Sequence, residues 1–336
     1  TELSLSLRQP LYTGARLKTS IALAENAVLS KDSQHDILQQ AIRHQIETLF
    51  YRAQLLHREV KTQQASLDRV QKNLVQVRTL FLGAQAMAFD TLKIFNQKLQ
   101  IAIEQDRLRK ELRLLEIHFA RTLDLPQPRP IAQIDLARPA HTPLALDSLK
   151  RVALQRRPET QAIRIGLQAA RLQGKLARSA YFPAVSGVLS YNIGKPGLNQ
   201  VANEWMDYFA AGVQVQWNLW RGAQDRHRIE QAEIEHNRLA LEEREVLKKI
   251  DADVEHAWEN LHFSFKQLNL AEQLLAQQRE RFRITGTLFS NGMATSQEIT
   301  DAESELTQAE LFRERVIVQS YLAAADLALA TGTMLQ

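Results

Sequence analysis

The sequence predicts a mixed, mainly α fold in which long antiparallel coiled-coil helices, present twice, are joined to a few β-strands. Three observations predict it: a scarcity of turn residues, a repeat running through almost the whole chain, and a switch from period-two to heptad patterning in each repeat. The 336 residues include 12 glycines and 9 prolines. That is about half the usual glycine share of about 7%, so the elements between turns must be long.

The repeat is read by direct alignment. Residues 5–16, LSLRQPLYTGAR, lie on residues 213–224, VQVQWNLWRGAQ, and Gly14 falls on Gly222 at an offset of 208. The offset carries Ile42 onto Ile250, Phe50 onto Trp258 and Leu74 onto Phe282. Leu99 falls on Leu306 at an offset of 207, which implies one inserted or deleted residue before it. Leu123-Asp124 lies opposite Thr331-Gly332. The expected domains are residues 1–124 as a first repeat, 125–147 as a proline-rich equatorial connector, and 148–336 as a second repeat. Residues 148–208 have no counterpart ahead of Thr1, so an upstream part of the first repeat is expected to be missing.

The elements follow in order. Leu3-Ser4-Leu5-Ser6-Leu7-Arg8 alternates apolar and polar, the period of a strand with two unlike faces. After Gly14 the apolar positions become Leu38, Ile42, Ile46, Leu49, Ala53, Leu56, Val60, Leu67, Val70, Leu74, Val77 and Phe81. Spacings of three and four over many turns form a coiled-coil stripe. No proline interrupts 15–80, which predicts one helix on the order of 100 Å long. A shorter return helix is expected over 90–123. Pro126, Pro128, Pro130, Pro139 and Pro143 make 125–147 irregular. A helix over 146–179, stepped at Pro158, leads through Pro183 into a strand over 184–193. A loop containing Gly194, Pro196 and Gly197 precedes the second alternating run, Val213–Leu219. The second long helix is expected over 223–288 and its return over 296–330.

The alternating runs fit a lipid-facing barrel strand, apolar outward and polar toward a wet lumen. Alternation alone favours an ordinary amphipathic hairpin on a soluble core, and the long helices that follow each strand turn the balance toward the barrel. On the barrel reading Leu5, Leu7, Val213, Val215, Trp217 and Leu219 face lipid. Three strands cannot close alone, and open edges are not viable in hydrocarbon, so other copies must supply the pairing. With a fourth strand from the repeat, three subunits give about twelve strands, an even number within the known range. The helices would then continue the barrel as a hollow tunnel, which makes a homotrimer the simplest closed form.

Composition removes other classes. Cysteine is absent, so there is no disulfide framework, thiolate site or cysteine nucleophile. The net charge of +4 is spread among interleaved acids and bases, unlike a nucleic-acid-binding face. No apolar run reaches the length of a membrane helix; the best, Leu322–Ala330, is broken by Asp326. No two histidines stand four apart on one helix face, so no metal site is expected. No nucleophile, phosphate-binding or dinucleotide motif occurs, and neither an enzymatic activity nor a cofactor is expected. Arg171, Lys175 and Arg178 approach the strand at Pro183, near membrane headgroups or on a solvated face.

The junctions QPLYTGAR and WNLWRGAQ, the RRPETQAI lead-in to the middle helix, its AYFPAVSG exit, and the return turn SNGMATSQEITDAESEL together resemble the TolC family of outer-membrane efflux and type I secretion channels. The resemblance covers essentially the whole chain. It implies a trimer in the outer membrane of a Gram-negative bacterium, with a periplasmic tunnel that meets a periplasmic adaptor (membrane fusion) protein and an inner-membrane transporter. It implies an iris at the turns 82–90 and 290–298, where Gly83, Ala84, Gly292 and Met293 would meet the adaptor. Glu298 and Asp301, six and nine positions after Gly292, match acidic residues facing the tunnel axis in that family. Three copies would stack two carboxylate rings; alternatively, both acids simply favour a helix start. Some such channels lock the iris with a tyrosine and an arginine where this chain has Phe289 and Ala294, so that lock does not transfer. Asp90, at the matching place in the first turn, is expected to lack both partners, and aligning it through Gly83 needs one inserted residue. The rival class is a soluble coiled-coil scaffold or adaptor, which would need a compact β-domain with both sheet faces covered.

Overall fold

The computed structural model describes residues 2–137, 145–195 and 204–333. Pro139, Pro143, Pro196 and Gly197 lie outside the described residues. Three strands, β1 (Glu2–Tyr12), β2 (Ala184–Gly194) and β3 (Met206–Gln216), form one antiparallel sheet in the order β1-β2-β3. Six α-helices follow the expected plan: α1 (Arg16–Leu82), α2 (Ala88–Thr122), α3 (Leu146–Arg156), α4 (Pro158–Arg178), α5 (Gln224–Ser290) and α6 (Ser296–Thr331). A 3₁₀ turn, Ser179–Tyr181, joins α4 to the sheet.

Chain and fold divide differently. The first compact unit comprises Thr1–Ile37 and Pro158–Lys248, the second Leu38–Arg157 and Lys249–Gln336. The first holds the sheet, the starts of α1 and α5, and α4. Each strand has 11 residues, enough to cross hydrocarbon at a tilt. Pro10 sits where the β1–β2 register shifts, a bulge that tolerates a residue without an N–H.

The second unit carries the helical core. Val70, Leu74, Val77, Ile94, Phe289 and Ile299 pack near the two hairpin turns. Leu268, Ala271, Val316, Ile317 and Val318 form a second cluster with Leu136 of the connector. Part of the predicted stripe stays open: Leu38, Ile42 and Phe81 are exposed while Leu49 and Ala53 are buried. The connector is strapped to α1 by Gln54, which donates to the Ala132 carbonyl at 2.8 Å and accepts from the Ile134 N–H at 2.9 Å. Asp326, which breaks the longest apolar run, pairs with His44 at 2.7 Å. No described helix is long and apolar enough to cross a membrane.

The duplication is stricter than the sequence reading. Both long helices have 67 residues, and each start and end differs by 208. Left-handed residues recur at the same offset: Gly14 and Gly222, Ala15 and Ala223, Ala84 and Gly292, Asp124 and Gly332. The inferred insertion does not exist. In the first turn Ala84, not Gly83, takes the left-handed position, so Ala84 to Asp90 spans six residues just as Gly292 to Glu298 does. Side chains misled the alignment because glycine was taken to mark the turn.

Candidate functional site

Two regions carry the candidate residues. The first is the sheet. Its register puts Leu5, Tyr191 and Phe209 in one row, Leu7, Leu189 and Ala211 in the next, and Val185 with Val215 further on. These share one face. Ser6 with Ser190, Ser4 with Asn192, and Ser186 with Gln214 share the other, where Arg8 donates to Gln214 Oε1 at 2.7 Å. Leu5 is 75% exposed, Phe209 66% and Val213 68%. Among the described residues nothing covers this apolar face, and β1 is exposed along its whole length.

The last predicted strand is corrected. It begins at Met206 and ends at Gln216, so Trp217 and Leu219 lie beyond it, in the passage to α5. Trp217 turns to donate its indole N–H to the Tyr181 carbonyl at 3.1 Å, which fixes the chain exit in place of a ladder pair. Exposed Tyr12, Tyr181, Phe182 and Trp220 lie at this same end, and Trp205 precedes β3 at the other. Sequence reasoning passed over these aromatics because they flank the alternation and are not part of it. At the junctions, Gly14 is packed against Phe182, whose Cβ would stand 2.5 Å from an added Cβ, whereas Gly222 faces open space. Of the basic residues on α4, Arg171 bonds His236 at 3.2 Å and Arg178 bonds Glu233 at 3.0 Å, both on α5.

The second region is the pair of hairpin turns. Each long helix ends in the same reciprocal backbone pattern: Gln85 N–H to Leu80 and Ala84 N–H to Phe81, then Met293 N–H to Leu288 and Gly292 N–H to Phe289. Thr295 caps α6, accepting from the Glu298 N–H at 3.2 Å while Glu298 Oε2 accepts from the Thr295 N–H at 2.7 Å. The backbone bond, then the Thr295 hydroxyl, hold the Glu298 carboxyl below its ordinary range. Asp301 accepts from Gln297 Nε2 at 2.6 Å. Glu298 therefore has a structural task, while Asp301 is bonded only within its own turn.

Asp90 is not partnerless. The Ser296 hydroxyl donates to its Oδ1, and the Met87 N–H donates to Oδ2 at 2.9 Å. These bonds, the hydroxyl first, lower its pKa. Ser296 stands at the start of α6, so this bond ties the first hairpin to the second. Phe289 is not a surface group: it is 3% exposed, within the apolar cluster between the helices, with Ala294 packed against it. Gly83 and Met293 are exposed at the tips.

One constellation was not anticipated. Glu303, 1% exposed, accepts from Ser66 Oγ at 2.7 Å, Gln97 Nε2 at 2.9 Å, Thr307 Oγ1 at 2.8 Å and Arg69 Nε at 3.3 Å. Arg69 continues to Glu310 at 3.0 Å and lies over the Phe282 ring. This satisfied ionic layer joins α1, α2, α5 and α6. Its sequence signal is a carboxylate on the stripe Ile299, Ala302, Leu306, Ala309.

A sequence profile described as outer membrane efflux protein matches residues 149–333, more than half of the chain. The chain belongs to the outer membrane efflux protein family. It is accordingly a channel-family protein and not an enzyme. No curated protein matches its sequence. Among solved structures it is similar to the outer membrane protein VceC of Vibrio cholerae, at 17% identity and a TM-score of 0.84, over 99% of this chain and 79% of that one. It is also similar to the CmeC outer membrane channel of Campylobacter jejuni, at 10% identity and a TM-score of 0.83, over 98% and 70%. The MtrE outer membrane channel of Neisseria gonorrhoeae, in its open state, gives 15% identity and a TM-score of 0.77, over 99% and 80%. At these identities the likeness establishes the efflux-channel fold.

Proposed function

We propose that this chain is one subunit of a homotrimeric exit duct that lets solutes cross the outer membrane and periplasm passively. The observation that carries it is the uncovered sheet: an apolar face, a polar face and two open edges, feeding helices of 67 residues. In hydrocarbon such edges require partners, which further copies provide. Aromatic side chains at both ends of the strands suit headgroup depth. An exposed stripe on α2, Phe89, Leu92, Leu99 and Ile103, suits burial against the next subunit. A soluble scaffold or adaptor would need a covered sheet, so this second reading has no observation in its favour.

The duct would work with a periplasmic adaptor and an inner-membrane transporter, whose energy drives export, and the adaptor would dock at the turns containing Gly83, Ala84, Gly292 and Met293. The same turns would form the iris. Its closure rests on the Asp90–Ser296 bond and on apolar packing around Phe289. Glu298 and Asp301 would ring the constriction; the lowered pKa of Glu298 keeps it charged at neutral pH.

The test is light scattering of the detergent-purified protein, followed by planar-bilayer recording. A trimer with stable single channels is expected. A monomer soluble without detergent would defeat the duct. Asp301→Asn should weaken cation preference without loosening a helix cap, which makes it a cleaner probe of the ring than any change at Glu298.

A further inference from the structure

On the polar side of the sheet, where strands pass into helices, a cleft of about 1080 Å³ is lined by Thr13, Arg16, Gln173, Gln216, Arg221 and Arg228, among others. We infer that this cleft is a binding station for soluble anions carrying two or more carboxylate or phosphate groups; it rests on the duct reading for its position along the exit route. Its charge is unbalanced. The Arg16 guanidinium has no hydrogen-bond or ion-pair partner among the described residues, while its backbone N–H donates to the Thr13 carbonyl at 3.0 Å. Arg221 and Arg228 share one carboxylate, Asp225, at 3.7 and 3.9 Å, and Asp225 Oδ1 makes no hydrogen bond. The lining acid Glu235 is already paired with Arg238 at 2.8 Å. Arg238 is itself shared with Glu242 at 2.9 Å, so with Glu235 counted beside Asp225 the three guanidinium groups leave an excess of one positive charge.

The backbone adds to this. Arg16 is the first residue of α1, and Arg221 directly precedes the Gly222–Ala223 turn that starts α5. Arg16 and Leu17 in the first turn of α1 line the cleft, so that helix adds its positive end there. Planar guanidinium forks suit carboxylate and phosphate pairwise, and amide side chains at Gln173 and Gln216 offer further donors. A concave, low-dielectric wall focuses such a field and raises the local anion concentration. Three copies would arrange three clefts around one lumen, opposite in sign to the carboxylates proposed at the turns.

Citrate is the probe. Calorimetry on the full-length, detergent-solubilised oligomer should record saturable citrate binding that weakens as salt rises. Arg16→Gln/Arg228→Gln should weaken it at least about tenfold, a loss of about 1.4 kcal/mol, while Arg16→Lys/Arg228→Lys should keep most of it. Arg226→Gln, which removes an exposed arginine paired with Glu230 outside the cleft, should change nothing. In bilayers citrate should reduce wild-type conductance, and the Gln pair should relieve that block. The site is overturned if the wild type binds no citrate, if the Gln pair binds as the wild type does, or if binding follows the anionic-lipid content of the sample and not added citrate. Citrate binding by an oligomer that forms no channels would keep the site and remove the duct instead.

Discussion

The two repeats share one backbone and bury very different things. α2 buries five of its 35 residues, whereas α6 buries 17 of 36. At the tips, exposed Leu82, Met87 and Phe89 stand where the second repeat has Ser290, Thr295 and Gln297. Conversely Phe289 is 3% exposed and its counterpart Phe81 44%. Phe95 occupies the position equivalent to the buried Glu303. A few turn residues fix the backbone path, and the side chains are then free to give one hairpin an interior and the other a sticky exterior.

The comparison breaks hardest at the ionic layer. Glu303→Ala should destabilise the fold by about 3 kcal/mol, because Ser66, Gln97 and Thr307 lose their buried acceptor and Arg69 is left with Glu310 alone. Phe95→Ala, half exposed in the other repeat, should cost about 1 kcal/mol; denaturant midpoints of the two variants measure the gap. Next come the junction glycines. Both have positive φ, so alanine costs about 1–2 kcal/mol at either. Gly14→Ala must also displace Phe182, adding about 1–3 kcal/mol, so its midpoint should fall well below that of Gly222→Ala.

The caps give a smaller effect. Thr295→Ala should cost about 1 kcal/mol by deleting the α6 cap. Met87 has no side-chain oxygen to offer α2, so Met87→Thr should restore the missing half of the box and stabilise by several tenths of a kcal/mol. Smallest is the pH response. Asp90 and Glu298 have lowered folded-state pKa values, so their contribution is complete above the ordinary carboxylate range and lost as pH falls through the folded values. His44, raised mainly by its bond to Asp326, behaves oppositely: its contribution is complete below about 6.5 and disappears as pH rises through its folded value. Hydrogen-exchange protection relative to the intrinsic rate should fall at residues 88–91 and 296–299 in acid, and around 44 and 326 in mild alkali.

Much of this architecture was legible. Strand alternation at Leu3–Arg8, the heptads of α1 and the junction glycines are local signals, and local rules read them. The misreadings share a cause. Trp217 and Leu219 continue the alternation, yet the ladder ends at Gln216 because the register places Pro183, which has no N–H, opposite Trp217. Gly83 looks like the turn residue, yet Ala84 accepts the left-handed strain. Asp90 finds Ser296, and Glu303 finds Ser66 and Arg69, across more than 200 residues of sequence. Those partnerships are tertiary, and no window along the chain contains both members.

The constant offset of 208 has a consequence for how such a chain can change length. Adding one residue to an α-helix turns everything beyond it by about 100° and advances it by about 1.5 Å. An insertion in α1 alone would swing the tip of one hairpin out of phase with the other, separating Asp90 from Ser296 and pulling Ser66 and Arg69 away from Glu303. Lineages of this fold should therefore lengthen or shorten in matched pairs, one change in each repeat at equal depth, or by about seven residues, which restores the same facing after two turns. The twin helices act as a mutual ruler, in which each copy holds the other to measure.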